Sequence, residues 1–471
     1  MTERVLFLRA DPERLSPGHH PRNAYPSMNI RYGASVAMAM GYDVEVIDMA
    51  ASLPSGTLAE SVAAARPDAV VCDIITPAVQ FTLDAVERIG VPVIALGQHP
   101  SALPRTLLDR EGPVDGCIVG EAERTLQEAL PYIMAGDLSS LVGMAGLVVR
   151  SPDGPIEGPP RAPIERLDEL PYQAHTSHHG SYYTHYPIRT RGRRRFGFIE
   201  AGRGCPHSCL FCSQTLRISY GNRVRLRSHE SVVAEVDYLV RELDVNAIVF
   251  LDDAFCLDHR FAHGICDSLI ERGLNDKVSW LVQTRVDAVD EDLLVHMREA
   301  GCSTVCFGVE SGSQRVLDTL RKGVTLDQIR TAFQAAHDAD LLRVGFFMLG
   351  NPTETREELE STMGFCRELA PDFIQVAFFT AYPGSDAWAE WGDTTDYDSY
   401  THYNAVISNR SQMSNDELVE LHRRFYLTFL SRPEFVARYA RYRLPRALAN
   451  WREEAELMRT ALGFFTSRHE D

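Results

Sequence analysis

The sequence predicts an α/β protein: an N-terminal doubly wound parallel sheet, a partial (β/α)6 barrel, and a helical C-terminal region. Three observations predict it. Short β-rich runs alternate with helical stretches in two successive series. A Pro- and Gly-rich stretch over 151–163 separates the series as an irregular linker. The chain, at 471 residues, is too long for one ordinary core.

The first series places strands over 5–8, 44–47, 69–72, 91–96 and 116–119, with helical stretches such as 58–65 and 81–89 between them. Alternating βαβ units of this length argue for a parallel sheet over 1–150. No Gly-x-Gly-x-x-Gly follows the first strand, which disfavours a dinucleotide domain. Residues 151–190 are read as linker and 191–390 as the barrel. Barrel strands are expected over 196–201, 247–251, 279–284, 304–309, 344–349 and 373–380. Helices are expected over 230–243, 260–272, 291–300, 326–339 and 356–369. Residues 391–471 read as helical, with Leu418, Leu421, Phe425 and Phe429 at helical spacing. No repeat of solenoid period is present.

Apolar content of 45% and charged content of 24% are those of a folded, soluble chain. No apolar run reaches the roughly 18 residues of a membrane span. The first residues run directly into a strand, so no secretory leader and no membrane partner are expected, and the cytoplasm is the expected location. The net charge of −18 speaks against nucleic acid as a partner. It either serves solubility or draws in a cationic substrate. Ten cysteines in such a chain are thiols or metal ligands rather than disulfides. Cys72, Cys117, Cys256, Cys266, Cys302, Cys306 and Cys366 lie in apolar stretches and read as small buried hydrophobes.

The other three are clustered in Gly202-Arg-Gly-Cys205-Pro-His-Ser-Cys209-Leu-Phe-Cys212, directly after the first barrel strand. Loops after the strands form the active face of a βα barrel. Three thiolates would satisfy three irons of a four-iron cluster and leave one open to bind a small molecule and pass it an electron. The alternatives are zinc, a two-cysteine redox motif, or chance. Zinc wants four ligands, normally two separated pairs, and His207 as the fourth would strain a tight loop.

Cys-x3-Cys-x2-Cys with Phe211 before the last cysteine resembles the signature of the radical S-adenosylmethionine (SAM) superfamily. The resemblance runs over about 196–385: Phe250-Leu-Asp252-Asp253-Ala-Phe255, Trp280 to Asp287 with Arg285, Gly308-Val-Glu310-Ser311-Gly312, Gly345 to Thr355, and Tyr382-Pro-Gly384 come in the family's order. It implies a [4Fe–4S] cluster on Cys205, Cys209 and Cys212. SAM would chelate the open iron and be cleaved to a 5′-deoxyadenosyl radical. An external one-electron donor is implied. Phe211, Asp252, Asp253, Arg285, Glu310 and Ser311 form the implied cofactor-binding set. Phe211 shapes the adenine pocket, Asp252 or Asp253 faces the methionine ammonium, and Glu310 bonds the ribose hydroxyls or that ammonium. The alternative for Asp252, Asp253 and Glu310 is a rim ion pair with Arg285.

Residues 1–150 resemble the cobalamin-binding domain that precedes the barrel in one branch of the family. Val91-Pro-Val-Ile-Ala-Leu-Gly97-Gln98-His99-Pro100 and Asp115-Gly-Cys-Ile-Val-Gly120-Glu121-Ala-Glu123 carry that resemblance, as does Leu167-Asp-Glu-Leu-Pro171 after the linker. Asp-x-His-x-x-Gly is absent, as in many branch members, and His99 reads as a loop residue rather than a cobalt ligand. The stretch 24–33 departs from the branch's small, apolar pattern, which suggests a sheet kept in shape without its corrinoid. Two reactions then compete. The first choice resembles the radical SAM diol dehydratases of aminoglycoside antibiotic biosynthesis, of the apramycin-pathway type. These take a cationic aminosugar and draw on a separate NAD(P)H-dependent reductase. The alternative is a cobalamin-dependent methyltransferase of secondary metabolism. A non-enzymatic regulator would not need the SAM-pocket segments. No catalytic acid or base is assigned. Tyr182, Tyr183, His185 and Tyr186 before the barrel, and Arg223, Arg225 and Arg227 near Tyr220, are candidate pocket residues or plain loop residues. Asp386, Glu390, Asp393, Asp396 and Asp398 form an acidic run, read as a solvated face or an amine-recognition site.

Overall fold

The computed structural model describes residues 3–12, 23–108, 111–175, 177–190, 192–212, 220–253, 255–392, 396–397, 400, 408–433, 435 and 437. Strands β1 (Arg4–Arg9), β2 (Asp43–Asp48), β3 (Ala69–Asp73), β4 (Val93–Leu96) and β5 (Gly116–Ile118) pair in parallel in the order β2-β1-β3-β4-β5. Helices α1 (Met28–Ala39), α2 (Leu58–Ala65), α3 (Val79–Val86), α4 (Gln98–Ala102), α5 (Pro104–Leu108) and α6 (Ala122–Met134) connect and cover them. Alternate residues feed two cores: Leu6, Leu8, Val70 and Cys72 enter one, and Val5, Phe7, Ala69 and Val71 enter the other. A parallel sheet buried on both faces reads as continuous apolar runs.

The sheet also has an antiparallel edge. β6 (Leu147–Val149) pairs with β5, and β7 (Ile156–Glu157) pairs with β6. The linker expected from residue 151 therefore starts inside the sheet. Ser151 to Gly154 is a hairpin turn: Gly154 has φ 106°, and its N–H donates to Ser151 O at 3.1 Å. The glycine and prolines of this stretch serve the turn rather than end the sheet.

The second sheet is wholly parallel. Its strands are β8 (Phe196–Ile199), then, after the ribbon β9 (Gly202–Arg203) and β10 (Arg225–Leu226), β11 (Ala247–Phe250), β12 (Ser279–Thr284), β13 (Cys302–Glu310), β14 (Leu342–Leu349) and β15 (Phe373–Phe378). The order β8-β11-β12-β13-β14-β15 makes an open (β/α)6 barrel. Helices α7 (His229–Glu242), α8 (His259–Glu271), α9 (Glu291–Glu299), α11 (Leu326–Asp338) and α12 (Arg356–Leu369) fall where the sequence places them, and a short α10 (Gln314–Thr319) is added. Capping boxes start α11 (Thr325 with Gln328) and α12 (Thr355 with Glu358).

Outward residues such as Ile248, Trp280, Val305 and Phe347 pack on the helices. The inward Phe198, Val249, Leu281, Cys306 and Val344 bury Tyr182, Tyr186 and Ile188 of the linker. The linker thus plugs the lower lumen, with Arg189 N–H donating to Ser303 Oγ at 3.2 Å. After α13 (Asp386–Trp391), α14 (Asn415–Leu430) covers the β15 edge: Phe425 lies 5.2 Å from Phe347 and His422 lies 4.7 Å from Phe378, ring centre to ring centre. Leu418, Leu421, Phe425 and Phe429 are its buried stripe. Residues 438–471 of the expected helical region lie outside the described residues. No helix among the described residues is long and apolar enough to cross a membrane.

Candidate active site

The loop after β8 begins under tight constraint. Gly204 has φ 90°, and a Cβ there would sit 2.4 Å from Arg223 O. Beyond it, Cys205, Cys209 and Cys212 are partly exposed, whereas the other seven cysteines are buried, as their apolar surroundings imply. Leu210 N–H donates to Leu320 O at 2.9 Å, and Leu210 and Phe211 pack among Val316, Leu320, Met348 and Phe379. Phe211 therefore anchors the thiol loop.

Burial pushes the Cys212 thiol up to about 12 and raises Cys205 too, so the thiolate form needs a positive centre beside it. Two buried cations stand nearby. Arg285 Nη1 lies 3.8 Å from Cys209 Sγ, and Lys322 Nζ lies 5.7 Å from the Phe211 ring centre. Among the described residues no three His, Cys, Asp or Glu side chains are drawn together tightly enough to hold a single metal ion. Three thiols in one loop beside two cations suit a cluster whose ligands each take a different iron.

The rim ion pair with Arg285 is not formed. Arg285 is held instead by Asp287, at 2.8 Å from Nε and 2.8 Å from Nη2, and by Lys322 O at 2.8 Å. Glu310 pairs with Lys322, Nζ to Oε1 at 2.8 Å. Glu310 sits at φ 63°, beside an irregularity in the β13–β14 register. Such a conformation in a non-glycine residue persists only where its surroundings enforce it. Gly308 makes room, because a Cβ there would lie 2.6 Å from both Glu310 Oε1 and Lys322 Nζ. Sequence reasoning missed Lys322, although it is one of only two lysines in the chain and Lys277, the other, is exposed.

Asp252 accepts from Ala201 N–H at 3.1 Å through Oδ2, while its buried Oδ1 has no partner. Burial holds its carboxyl well above the usual range and lifts Asp253 to about 7, with Glu200 adding to both. Ser311 is engaged elsewhere: its Oγ lies 3.1 Å from Thr362 Oγ1 and accepts from Ser313 N–H at 3.1 Å. Its hydroxyl serves as a local brace.

The carboxyl-terminal edge of the first sheet meets this loop through Arg203, which is 2% exposed. Arg203 bonds Glu200 (2.7 Å), Glu121 (3.1 Å) and Glu123 (2.6 Å), and its guanidinium lies 4.8 Å and 5.1 Å from the ring centres of Tyr32 and Tyr220. Arg225 joins Glu121 at 2.9 Å. A second buried chain runs Arg31 to His175 (3.2 Å), His175 to Glu235 (2.5 Å) and Glu235 to Arg227.

Arg225 is thus an inter-domain tie and Arg227 a buried partner of Glu235, rather than pocket residues, and the exposed Arg223 pairs with Glu165. Tyr182 donates to Asp48 Oδ2 at 2.8 Å, Tyr183 forms a backbone bridge to Ala24, and His185 N–H donates to Asn23 Oδ1 at 2.8 Å. In the acidic run, Asp386 pairs with Arg321 at 2.8 Å, Glu390 and Asp396 are exposed, and Asp393 and Asp398 lie outside the described residues.

In the first sheet, the order 2-1-3-4-5 opens a ligand crevice at the carboxyl ends of β1 and β3. His99 is fully buried, with Nδ1 3.4 Å from Thr76 Oγ1, Nε2 3.1 Å from Thr106 Oγ1 and its ring edge-on to Tyr397. It is not presented as a cobalt ligand. With His99 enclosed, a corrinoid at this crevice would be held without it. The unusual stretch 24–33 has a docking role: Tyr25 packs on Phe198 at 5.6 Å, and Ser27 caps α1.

Three thiols thus share one loop at the mouth of an open parallel barrel, beside the carboxyl edge of a doubly wound sheet. Residues 199–366 match the Radical SAM superfamily and residues 18–130 match the B12 binding domain. An uncharacterised methyltransferase of Pyrococcus horikoshii is 31% identical over 422 residues, covering 87% of this chain and 88% of that protein. Anaerobic magnesium-protoporphyrin IX monomethyl ester cyclase of Rubrivivax gelatinosus is 29% identical over 449 residues (91% and 79%). The structure of a radical SAM methyltransferase from Kitasatospora setae, with cobalamin and a [4Fe–4S] cluster bound, superposes with a TM-score of 0.65 at 18% identity, over 83% of this chain and 75% of that one.

The chain belongs to the radical SAM superfamily, with a B12-binding domain ahead of its barrel. Its cofactors are a [4Fe–4S] cluster and SAM, and its front domain is of the family that binds cobalamin. The stretch 24–33, read as a departure from the branch, lies inside the matched B12-binding region and so does not set this sheet apart from that domain family.

Proposed function

We propose that the chain is a cobalamin-dependent radical SAM methyltransferase acting on a small molecule, with electrons from an external donor. The observation that carries the proposal is Arg203, which ties the carboxyl edge of the corrinoid-type sheet to the start of the thiol loop. The Pyrococcus horikoshii relative, named a methyltransferase, supports it over 87% of the chain. Deoxygenation of an aminosugar rested on the charge of −18, the absent Asp-x-His-x-x-Gly and the departure over 24–33, and neither relative is named a dehydratase.

In this reading Cys205, Cys209 and Cys212 hold the cluster, and Arg285 and Lys322 balance the negative charge of its thiolates. Phe211 fixes the loop beside the adenine. Glu310, oriented by Lys322, takes the ribose hydroxyls, and Asp252 with Asp253 faces the methionine ammonium. When bound, the cluster and SAM supply a 5′-deoxyadenosyl radical and cobalamin supplies the methyl group. The linker tyrosines close the lower lumen and keep water from the radical. The test needs no substrate. Anaerobic protein given hydroxocobalamin, a reductant and methyl-labelled SAM should show a corrinoid absorption band, retain label with the corrinoid and release S-adenosylhomocysteine. Cys205→Ala, Cys209→Ala and Cys212→Ala should each abolish iron binding and 5′-deoxyadenosine formation. Protein that binds no corrinoid and releases no S-adenosylhomocysteine would overturn the proposal.

A further inference from the structure

Side chains on each barrel strand alternate between the helices and the lumen, and three levels can be followed up the lumen. The lowest is the buried floor of Phe198, Val249, Leu281, Cys306 and Val344 around Tyr182 and Tyr186. Two residues further on come Leu251, Gln283, Gly308 and Phe346, with Gln375 in register beside Phe346. All five are partly exposed, although their outward neighbours Phe250, Val282, Phe307, Phe347 and Val376 are buried. Above them lie Asp253, Arg285 and Glu310, at the level of the thiol loop. A partly exposed ring between a buried floor and the cofactor level marks an unfilled stretch of the lumen.

No member of that ring is ionisable. Glu200, just past the end of β8 and two residues after Phe198, is turned onto Arg203 at 2.7 Å. The ring's polar groups are two carboxamides, three strands apart. Tyr186 Oη donates to Gln375 Oε1. The Gln283 carboxamide makes no side-chain hydrogen bond among the described residues, and a half-buried amide in an apolar ring is stabilised by a partner.

We propose that this ring receives the reacting part of the substrate. That part is an uncharged, largely apolar or aromatic group bearing a hydrogen-bonding atom, oriented by Gln283 on one side and the Tyr186–Gln375 pair on the other. The inference rests on the radical SAM reading of the level above, and not on which group is transferred. A polycation finds no counter-charge in the ring.

Indole, tryptamine (the same ring system with an ammonium) and the aminosugar neamine, titrated by calorimetry into anaerobic holoenzyme with SAM, test it. Indole should bind, tryptamine at least about tenfold more weakly, and neamine not at all. Gln283→Leu should weaken indole about three- to tenfold, with iron and corrinoid content unchanged. Gln283→Glu should reverse the order of indole and tryptamine. The inference fails if indole does not bind, if tryptamine or neamine binds as tightly as indole, or if Gln283→Glu leaves the preference unmoved. Iron content and S-adenosylhomocysteine release report separately on the proposed methyltransferase.

Discussion

Replacing Arg203 by Met removes a buried cation from among three carboxylates while keeping a long, unbranched side chain. Glu121 retains Arg225 at 2.9 Å, whereas Glu123 and Glu200 retain no other ion-pair partner among the described residues. Breaking a buried pair costs about 3–5 kcal/mol because an uncompensated charge stays behind. With two carboxylates orphaned, the upper part of that range is expected. Burial already raises Glu200, and loss of Arg203 removes the largest influence that lowers it. A carboxyl whose folded pKa lies above its unfolded value contributes stability at low pH and loses it as pH rises through the folded pKa. The deficit of Arg203→Met should therefore be smaller at pH 6 than at pH 8. Urea unfolding of anaerobic protein at both values reads the deficit, and iron per chain and the rate of SAM cleavage read the consequence for the loop. Arg203→Lys should fall between, because a point charge cannot bridge three carboxylates as the planar fork does. A variant with the parent's unfolding midpoint, iron content and cleavage rate would refute the latch, and a deficit indifferent to pH would refute its electrostatic basis.

Glu310→Gln should keep fold and cluster but weaken SAM about tenfold or more in equilibrium dialysis; unchanged binding would make Glu310 purely structural. Gly308→Ala, whose Cβ would come closest to the ends of the Glu310 and Lys322 side chains, should also fold and also weaken SAM, and normal affinity would show that their pairing does not matter. Burial lowers His422 to about 4, so its contribution to stability is full above about pH 6.5 and is lost as pH falls toward 4, by up to about 1.4 kcal/mol per unit. His422→Phe should flatten that acid slope in urea unfolding, and equal slopes would count against the assignment.

The elements legible in the sequence are those whose signal is local. Ala247–Phe250 reads as a strand because both its faces are buried, and α12 reads as a helix because Thr355 and Glu358 announce its start. β9 and β10, two residues each, are defined by pairing with one another and leave no compositional trace. The three thiols were legible because their spacing lies within one loop. Arg203 was not, because its partners Glu121 and Glu123 lie 82 and 80 residues away. Arg225 and Arg227 were visible as charges but not as ion pairs, since nothing local marks a charge as buried. Ser311 shows the converse: a motif position drew attention to a hydroxyl that only the fold reveals to be bonded to Thr362.

The charge of −18 takes a different meaning once the acids are placed. Around the site most carboxylates have a cation: Glu121, Glu123 and Glu200 share Arg203 and Arg225, Glu235 has Arg227, Asp287 has Arg285, and Glu310 has Lys322. The surplus is left largely to exposed positions such as Glu271, Asp292 and Glu357, whose reach at physiological ionic strength is about 8 Å. Acidity of that kind keeps a protein soluble and does not select a polycation for the lumen. Asp252 and Asp253 are the exceptions, side by side at the mouth with no ion-pair partner among the described residues, and the Asp252 Oδ1 unsatisfied. A cationic group is therefore best accommodated at the level of the thiol loop and not in the ring below it. That is where a SAM ammonium would lie if the open iron chelates it, which leaves the lumen beneath to an uncharged substrate group.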